Sequence, residues 1–374
     1  MADKNSQIFA TGTMRTGGSL VQNLLSVNSE VLMFAGFVSF FRFYYKQYEP
    51  LTSENVERMV HHLRIRLKCR RDFDLDAELI IGNILKREVS YRVCYQEIMN
   101  YLADKTEKPS WGEYVTLGWR RIPDYLEMYP NAKVVHIYRD LRAIVSSFGR
   151  VTNMPDNLYL QAIFNWIDSV NHVKDYSKIL PKNQYYALKF EEIHSNPESK
   201  IKELCGFLEI PFESAMIEPD RWDTLFDKNF VDANISSYSK KKVYGFDPAR
   251  SKRWESEISD WELNLCEYLA KEQLAFAGYG KSLPDLDPIA LKKGMDKLSN
   301  NPVLRKSLQH FELTGEGTDK AAMDPTDPTN WDAPGDVFKK FTASSVYSKY
   351  VKEHEDLEEY LKIKYGSKRE LRNI

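Results

Sequence analysis

The residues with the most chemical content are Thr11-Gly12-Thr13-Met14-Arg15-Thr16-Gly17-Gly18-Ser19-Leu20, which follow a short apolar run, Ile8-Phe9-Ala10. Glycines let a backbone fold around an anion, and the N–H groups of a following helix's first turn point at it. Gly12, Gly17 and Ser19 fit the spacing G-x-x-x-x-G-K-[ST], except that Gly18 stands where the lysine for the β- and γ-phosphates should be. A positive side chain appears inside the loop instead, at Arg15. The expectation is a loop for a phosphate-like anion that does not hydrolyse ATP.

The elements around this loop must hold it. An amphipathic run with Leu20, Val21, Leu24 and Leu25 reads as the helix after the loop, and Val31–Phe34 as a short apolar segment. Residues 52–104 are helical by pattern and open at a Thr52/Ser53 cap with Glu54 behind it. Their basic stretch from Arg64 to Arg71 reads either as a solvated helix face or as a lid over an acceptor. A helix is expected over 123–129, and the continuous apolar run Lys133–Tyr138 reads as a buried parallel strand. Arg139-Asp140 stand at its carboxyl end, and a helix follows from Leu141 to Phe148. A further strand, Tyr185–Phe190, precedes Glu191-Glu192 and a helix over Pro197–Leu208. Strands alternating with helices imply an α/β fold, with a central, mostly parallel sheet flanked by helices. Ligands of such sheets sit beyond the carboxyl ends of the strands, which places Arg15 and Arg139 on one rim.

Composition narrows the function classes. The 374 residues carry a formal net charge of −2, so no whole-protein field draws the chain to nucleic acid or anionic lipid, and any anion site is local. Four widely spaced cysteines (Cys69, Cys94, Cys205, Cys266) form no CxxC motif or His/Cys cluster and read as reduced core residues; no metal site is expected. Met1–Ser6 lacks the charged-then-apolar order of a signal peptide. The aromatic run Gly36–Tyr45 is too short to span a bilayer and contains Arg42. A cytoplasmic protein is expected.

Three segments, in order, resemble the sulfotransferases that use 3'-phosphoadenosine-5'-phosphosulfate (PAPS). Gly12-x-x-Arg15-Thr16-Gly17-Gly18-Ser19-Leu20 is similar to the family's G-x-x-[RK]-S-G-T-T-[LW] loop. The resemblance implies that Arg15, Thr16, Gly17, Gly18 and Ser19 cradle the 5'-phosphosulfate. Arg139-Asp140-Leu141-Arg142 with Ser147 resembles R-D-P-R-(x)4-S, in which the first arginine and the serine hold the 3'-phosphate. Lys189–Ile193 is similar to Y-E-D-L, and Arg253-Trp254 to G-R-W, which favours Arg253 among Arg250, Lys252 and Arg253 as a further phosphate contact. The resemblance implies a P-loop-like sulfotransferase fold over residues 1–280, with 36–110 as a helical acceptor or lid region; composition and periodicity make 281–374 a linker and helical tail. It also implies sulfonate transfer from PAPS, without a metal, to a hydroxyl or amine of a small-molecule, saccharide or lipid acceptor.

Two catalytic positions of that pattern are absent here. Ala35 stands where many relatives carry a catalytic glutamate, and Tyr114 in Trp111-Gly112-Glu113-Tyr114 where others carry a lysine. Glu30, His61, His62 and Glu113 are the remaining candidates for a base. Glu113 reads either as that base or as a surface carboxylate paired with Arg120 or Arg121. His61 and His62 read as exposed face residues, and His136 as a satisfied core histidine. The alternatives in other classes are a silent PAPS-binding relative whose tail mediates assembly and a P-loop kinase or NTPase. Residues 281–335 read as loop or linker around Asp324–Pro328, and 336–364 as a helical segment packing on the main domain, a partner or a second copy.

Overall fold

A computed structural model describes residues 7–35, 38–71, 73–151, 155–222, 246–318 and 344–366. Five parallel strands form one sheet in the order β2-β3-β1-β4-β5. They are β1 (Gln7–Gly12), β2 (Val31–Ala35), β3 (Ser110–Thr116), β4 (Lys133–Tyr138) and β5 (Tyr185–Lys189). The near-continuous burial of β1, β3 and β4 explains their apolar character, because helices cover both faces.

Helix α1 (Gly18–Ser26) returns over the face that carries Ile8, Ala10, Val135 and Ile137, and buries Val21, Leu24 and Leu25 there. The chain leaving β4 goes to the opposite face. It runs through α7 (Leu141–Val151) to α8 (Gln161–Ile179), whose Ser169 hydroxyl meets His136 Nε2 at 2.8 Å. β1 and β4 are neighbours whose connections diverge to opposite faces. Their carboxyl ends therefore open a crevice, the place where such sheets bind ligands.

Between β2 and β3 lie the helices α3 (Ser53–Arg71), α4 (Ala77–Leu85) and α5 (Tyr91–Asp104). A four-residue helix, α2 (Phe40–Phe43), packs Phe40 on Tyr95 with ring centroids 4.6 Å apart. The basic stretch of α3 is not a solvated face throughout. Arg66 is buried with its guanidinium 4.0 Å from the Phe43 ring, because an arginine can stack its planar head on an aromatic while its stem fills the core.

His61 and His62 also depart from the exposed reading. The first is buried and the second half-buried, because a C-terminal helix, Ser344–Tyr365, lies along α3. Its buried Leu357, Leu361 and His354 form the seam, and the His354 ring meets His62 edge-on, with ring centroids 4.4 Å apart. Lys364 donates to Glu57 at 2.7 Å, and Glu358 pairs with Arg58. Among the described residues, this is where the tail packs. Asp324–Pro328 and the apolar positions Val337, Phe338 and Phe341 lie outside them.

The stretch read as the start of a linker carries two helices, Pro288–Asn300 and Pro302–Thr314. Their Leu298 and Leu304 join the core around Phe164, Ile167 and Leu265. In this first part of the stretch, the proline, aspartate and asparagine residues mark helix starts. Asp287 caps the first helix through Ile289 N–H, Asn301 caps the second, and Pro288 and Pro302 occupy their first turns.

Candidate functional site

The loop between β1 and α1 turns on two residues in the left-handed region, Arg15 (φ 71°) and Gly17 (φ 91°). Gly17 caps α1, and a Cβ there would stand 2.1 Å from a carbon of the Phe190 ring, so both conformation and space require glycine. Leu20 and Val21 N–H donate to Gly17 O, which leaves the N–H groups of Gly18 and Ser19 ahead of the first helical bonds. The Thr16 hydroxyl donates to Thr13 O at 2.7 Å and so braces the loop internally. Ser19 is exposed at the start of the helix.

From the neighbouring strand, Arg139 Nη1 donates to Arg15 O at 3.1 Å, and Arg15 Nε donates to Ser147 Oγ at 3.3 Å. The residues expected at the two ends of the nucleotide thus form one cluster across the crevice. Arg15 is largely removed from water beside a second guanidinium. Burial first, and the Arg139 charge second, pull its pKa down to about 9. An anion reverses both effects, because it supplies opposite charge to guanidinium groups that otherwise repel each other.

The third segment of the sequence pattern supports the first two. Phe190, directly after β5, touches Gly17 with its ring edge and carries the Arg139 guanidinium 4.5 Å from its centroid. Glu191 accepts from Asp140 N–H at 3.0 Å and from the Tyr279 hydroxyl at 2.8 Å. Asp140 caps α7 through Arg142 N–H at 2.9 Å. The Arg142 guanidinium is buried between Asp140 (2.7 Å) and Glu267 (2.8 Å) and lies 4.3 Å from the Trp254 ring centroid. Trp254 is therefore part of the Arg142 packing. Arg253 is exposed, and its Nε donates to Glu257 at 2.9 Å, a contact within its own turn.

Glu113 is fully buried, contrary to the surface reading, and Arg120 and Arg121 pair with Asp168 and Asp124 instead. Its carboxylate accepts from Ser39 N–H, from Phe40 N–H at 3.4 Å and from the Tyr95 hydroxyl at 3.0 Å. Burial dominates over these donors and raises its pKa to about 7. Glu30 is exposed at the start of β2. His136 is a satisfied core residue, bonded to Tyr185 and Ser169 and held neutral by burial. Glu57, His61 and Glu78 bring ligand atoms within 4.8 Å of one another, but the Lys364 ammonium already sits on Glu57.

Comparison with known proteins agrees with this architecture. A protein-tyrosine sulfotransferase of Drosophila melanogaster is 23% identical over 101 residues, 26% of this chain and 20% of that protein. Protein-tyrosine sulfotransferase A of Caenorhabditis elegans is 23% identical over 121 residues, 31% of each chain. The matches thus span between a fifth and a third of those relatives. Two solved structures share the fold. The sulfotransferase domain from the curacin biosynthetic pathway gives a TM-score of 0.52 at 17% identity, covering 74% of this chain and 98% of that one. The sulfotransferase domain from the Synechococcus PCC 7002 olefin synthase gives 0.50 at 18% identity, covering 75% and 97%. The model of the sulfotransferase family matches residues 7–214, more than half of the chain and the whole of the loop, the β4 rim and β5. With that match, the chain belongs to the sulfotransferase family.

Proposed function

We propose that this sulfotransferase takes its sulfonate group from PAPS and passes it to a hydroxyl or amine of a small-molecule, saccharide or lipid acceptor. The observation that carries the reading is the pair of guanidiniums, Arg15 and Arg139, drawn together at the carboxyl ends of β1 and β4 beside the first turn of α1. The donor set fits a nucleotide with phosphates at two positions. Arg15, Ser19 and the N–H groups of Gly18 and Ser19 suit the 5' anion, while Arg139 and Ser147 suit the 3'-phosphate. When bound, PAPS supplies the activated sulfonate. The chain's part is to hold negative charge where the leaving phosphate accumulates it, and fixed N–H donors and Arg15 do this without reorganising. Arg253, paired with Glu257, is assigned at most an outer contact to the 3'-phosphate.

Glu113 has a pKa suited to proton transfer near neutrality, yet its oxygens are taken by Ser39, Phe40 and Tyr95. We assign it the task of fixing the β2–α2 turn that borders the acceptor region rather than direct attack on the acceptor. The names of the two animal relatives add protein tyrosine to the acceptors worth testing. The second reading, a silent nucleotide-binding relative, is favoured by Tyr114, which occupies the place of the usual lysine beside the loop.

Calorimetric titration with 3'-phosphoadenosine-5'-phosphate (PAP), ATP and AMP tests the donor. Micromolar binding of the bisphosphate with little binding of ATP is expected. Equal affinity for all three would remove the 3'-phosphate assignment. Sulfonate transfer from labelled PAPS to an acceptor panel then separates the enzyme from the silent relative.

A further inference from the structure

Gly18, in the loop where the phosphate-loop spacing calls for lysine, and Tyr114, in β3 where relatives carry a lysine, are far apart in sequence and in contact in space. Tyr114 pairs across the sheet with Ala10 of β1 and Ala35 of β2, two small residues that leave room for its ring on the α1 side. The ring lies against Gly18 so closely that a Cβ at position 18 would fall 1.9–2.3 Å from three of its carbons. Contacts that short do not occur, so with the Tyr114 ring in this place a side chain at 18 would push it aside, and Gly18 is what admits the tyrosine here.

The phenol then reaches the loop itself. Its hydroxyl donates to Thr13 O at 3.3 Å and lies 3.4 Å from Thr16 Oγ1, while Thr16 Oγ1 donates to the same Thr13 carbonyl. These contacts bracket Met14-Arg15 from both sides. Arg15 holds φ at 71°, a conformation that costs a non-glycine residue free energy and persists only where the surroundings enforce it. That conformation carries the Arg15 carbonyl to Arg139 and the guanidinium to Ser147. Tyr114 is itself nearly inaccessible to solvent, and burial keeps its phenol a protonated donor.

We propose that Tyr114 is a positioning residue for anion binding. It clamps the Thr13–Thr16 turn in the form that aims Arg15, and Gly18 is its steric counterpart. The proposal rests on the nucleotide reading of the loop given above, and a mutant cycle read by PAP titration separates the two. Calorimetry compares the full-length wild type, Tyr114→Phe, Arg15→Ala and the double variant, each checked by thermal melting. Tyr114→Phe keeps the ring and removes one hydrogen bond. It is expected to weaken PAP binding about fivefold with its melting transition intact. In the Arg15→Ala background the same change should alter affinity less than about twofold, because its effect runs through Arg15. A fivefold loss repeated in that background, or no loss in the wild type, overturns the clamp while leaving the nucleotide site standing. A wild type that fails to bind PAP overturns the nucleotide reading, and the clamp falls with it.

Discussion

Arg15 and Arg139 differ in what they are placed to do. Arg139 reaches across to the neighbouring loop from the end of a buried strand, whereas Arg15 is built into the turn that meets the anion. Charge-assisted contacts contribute roughly 1.5–3 kcal/mol each. Arg139→Ala is therefore expected to weaken PAP binding by about one to two powers of ten in calorimetry. Arg15→Ala should abolish transfer from PAPS while some binding survives; equal, small effects of both would dissolve the site. Glu113 gives a pH test. Burial raises its pKa from an ordinary 4.5 to about 7, so between those values the folded chain holds a proton that the unfolded chain has released. Stability from this group is thus greatest below pH 4.5 and falls as pH rises towards 7. Glu113→Gln cannot titrate, so urea denaturation should show the variant gaining on the wild type by about 3 kcal/mol across that window. Parallel stability profiles would mean that the carboxyl keeps its protonation state on unfolding.

At the level of elements, α7 is tied to the helix Asp260–Leu269 and the turn after it by charge as well as by apolar packing. Arg142 is satisfied by Asp140, Glu267, Gly280 O and Ser282, and Trp254 covers it. Arg142→Met leaves two buried carboxylates facing each other. Breaking a pair of this kind costs about 3–5 kcal/mol, which should appear as a lowered denaturation midpoint. Because Asp140 neighbours Arg139, PAP affinity should fall as well, even though Arg142 is assigned no contact with the nucleotide. An unchanged midpoint would show that water replaces the guanidinium without loss. The Lys189–Glu191 segment shows the same division of labour. Phe190 supports both Gly17 and Arg139, and Glu191 fixes the backbone at Asp140, so β5 serves the site through packing.

Across the whole molecule, the anion cluster and the tail lie on different parts of the frame. The cluster sits where β1 and β4 end, and the tail helix packs along α3 through Leu357, Leu361 and the Glu57–Lys364 pair. Deleting residues 344–374 should therefore lower the melting temperature, because it uncovers the buried faces of Arg58 and His61, yet leave PAP affinity within about twofold. A large loss of affinity would instead tie the tail to the nucleotide site.

What the sequence determined by itself was local. The glycine spacing of residues 12–18, the apolar run before Arg139 and the helical period after it each lie within one strand–turn–helix unit, where backbone geometry fixes which groups share a rim. The proline and aspartate residues between 281 and 302 misled for the same local reason, since helix starts and loops draw on the same residue types. Tertiary structure alone decided the rest. Tyr114 meets Gly18, Phe190 joins Gly17 to Arg139, Glu113 holds Ser39, and His61 and His62 lie under a helix some 290 residues further along the chain. Each of these depends on sheet order and helix docking, and the same residue types have no fixed partner until the chain is closed. Burial turned an apparent surface carboxylate into a raised acid and a broken motif into a packed pair, because both outcomes depend on which distant side chains exclude water.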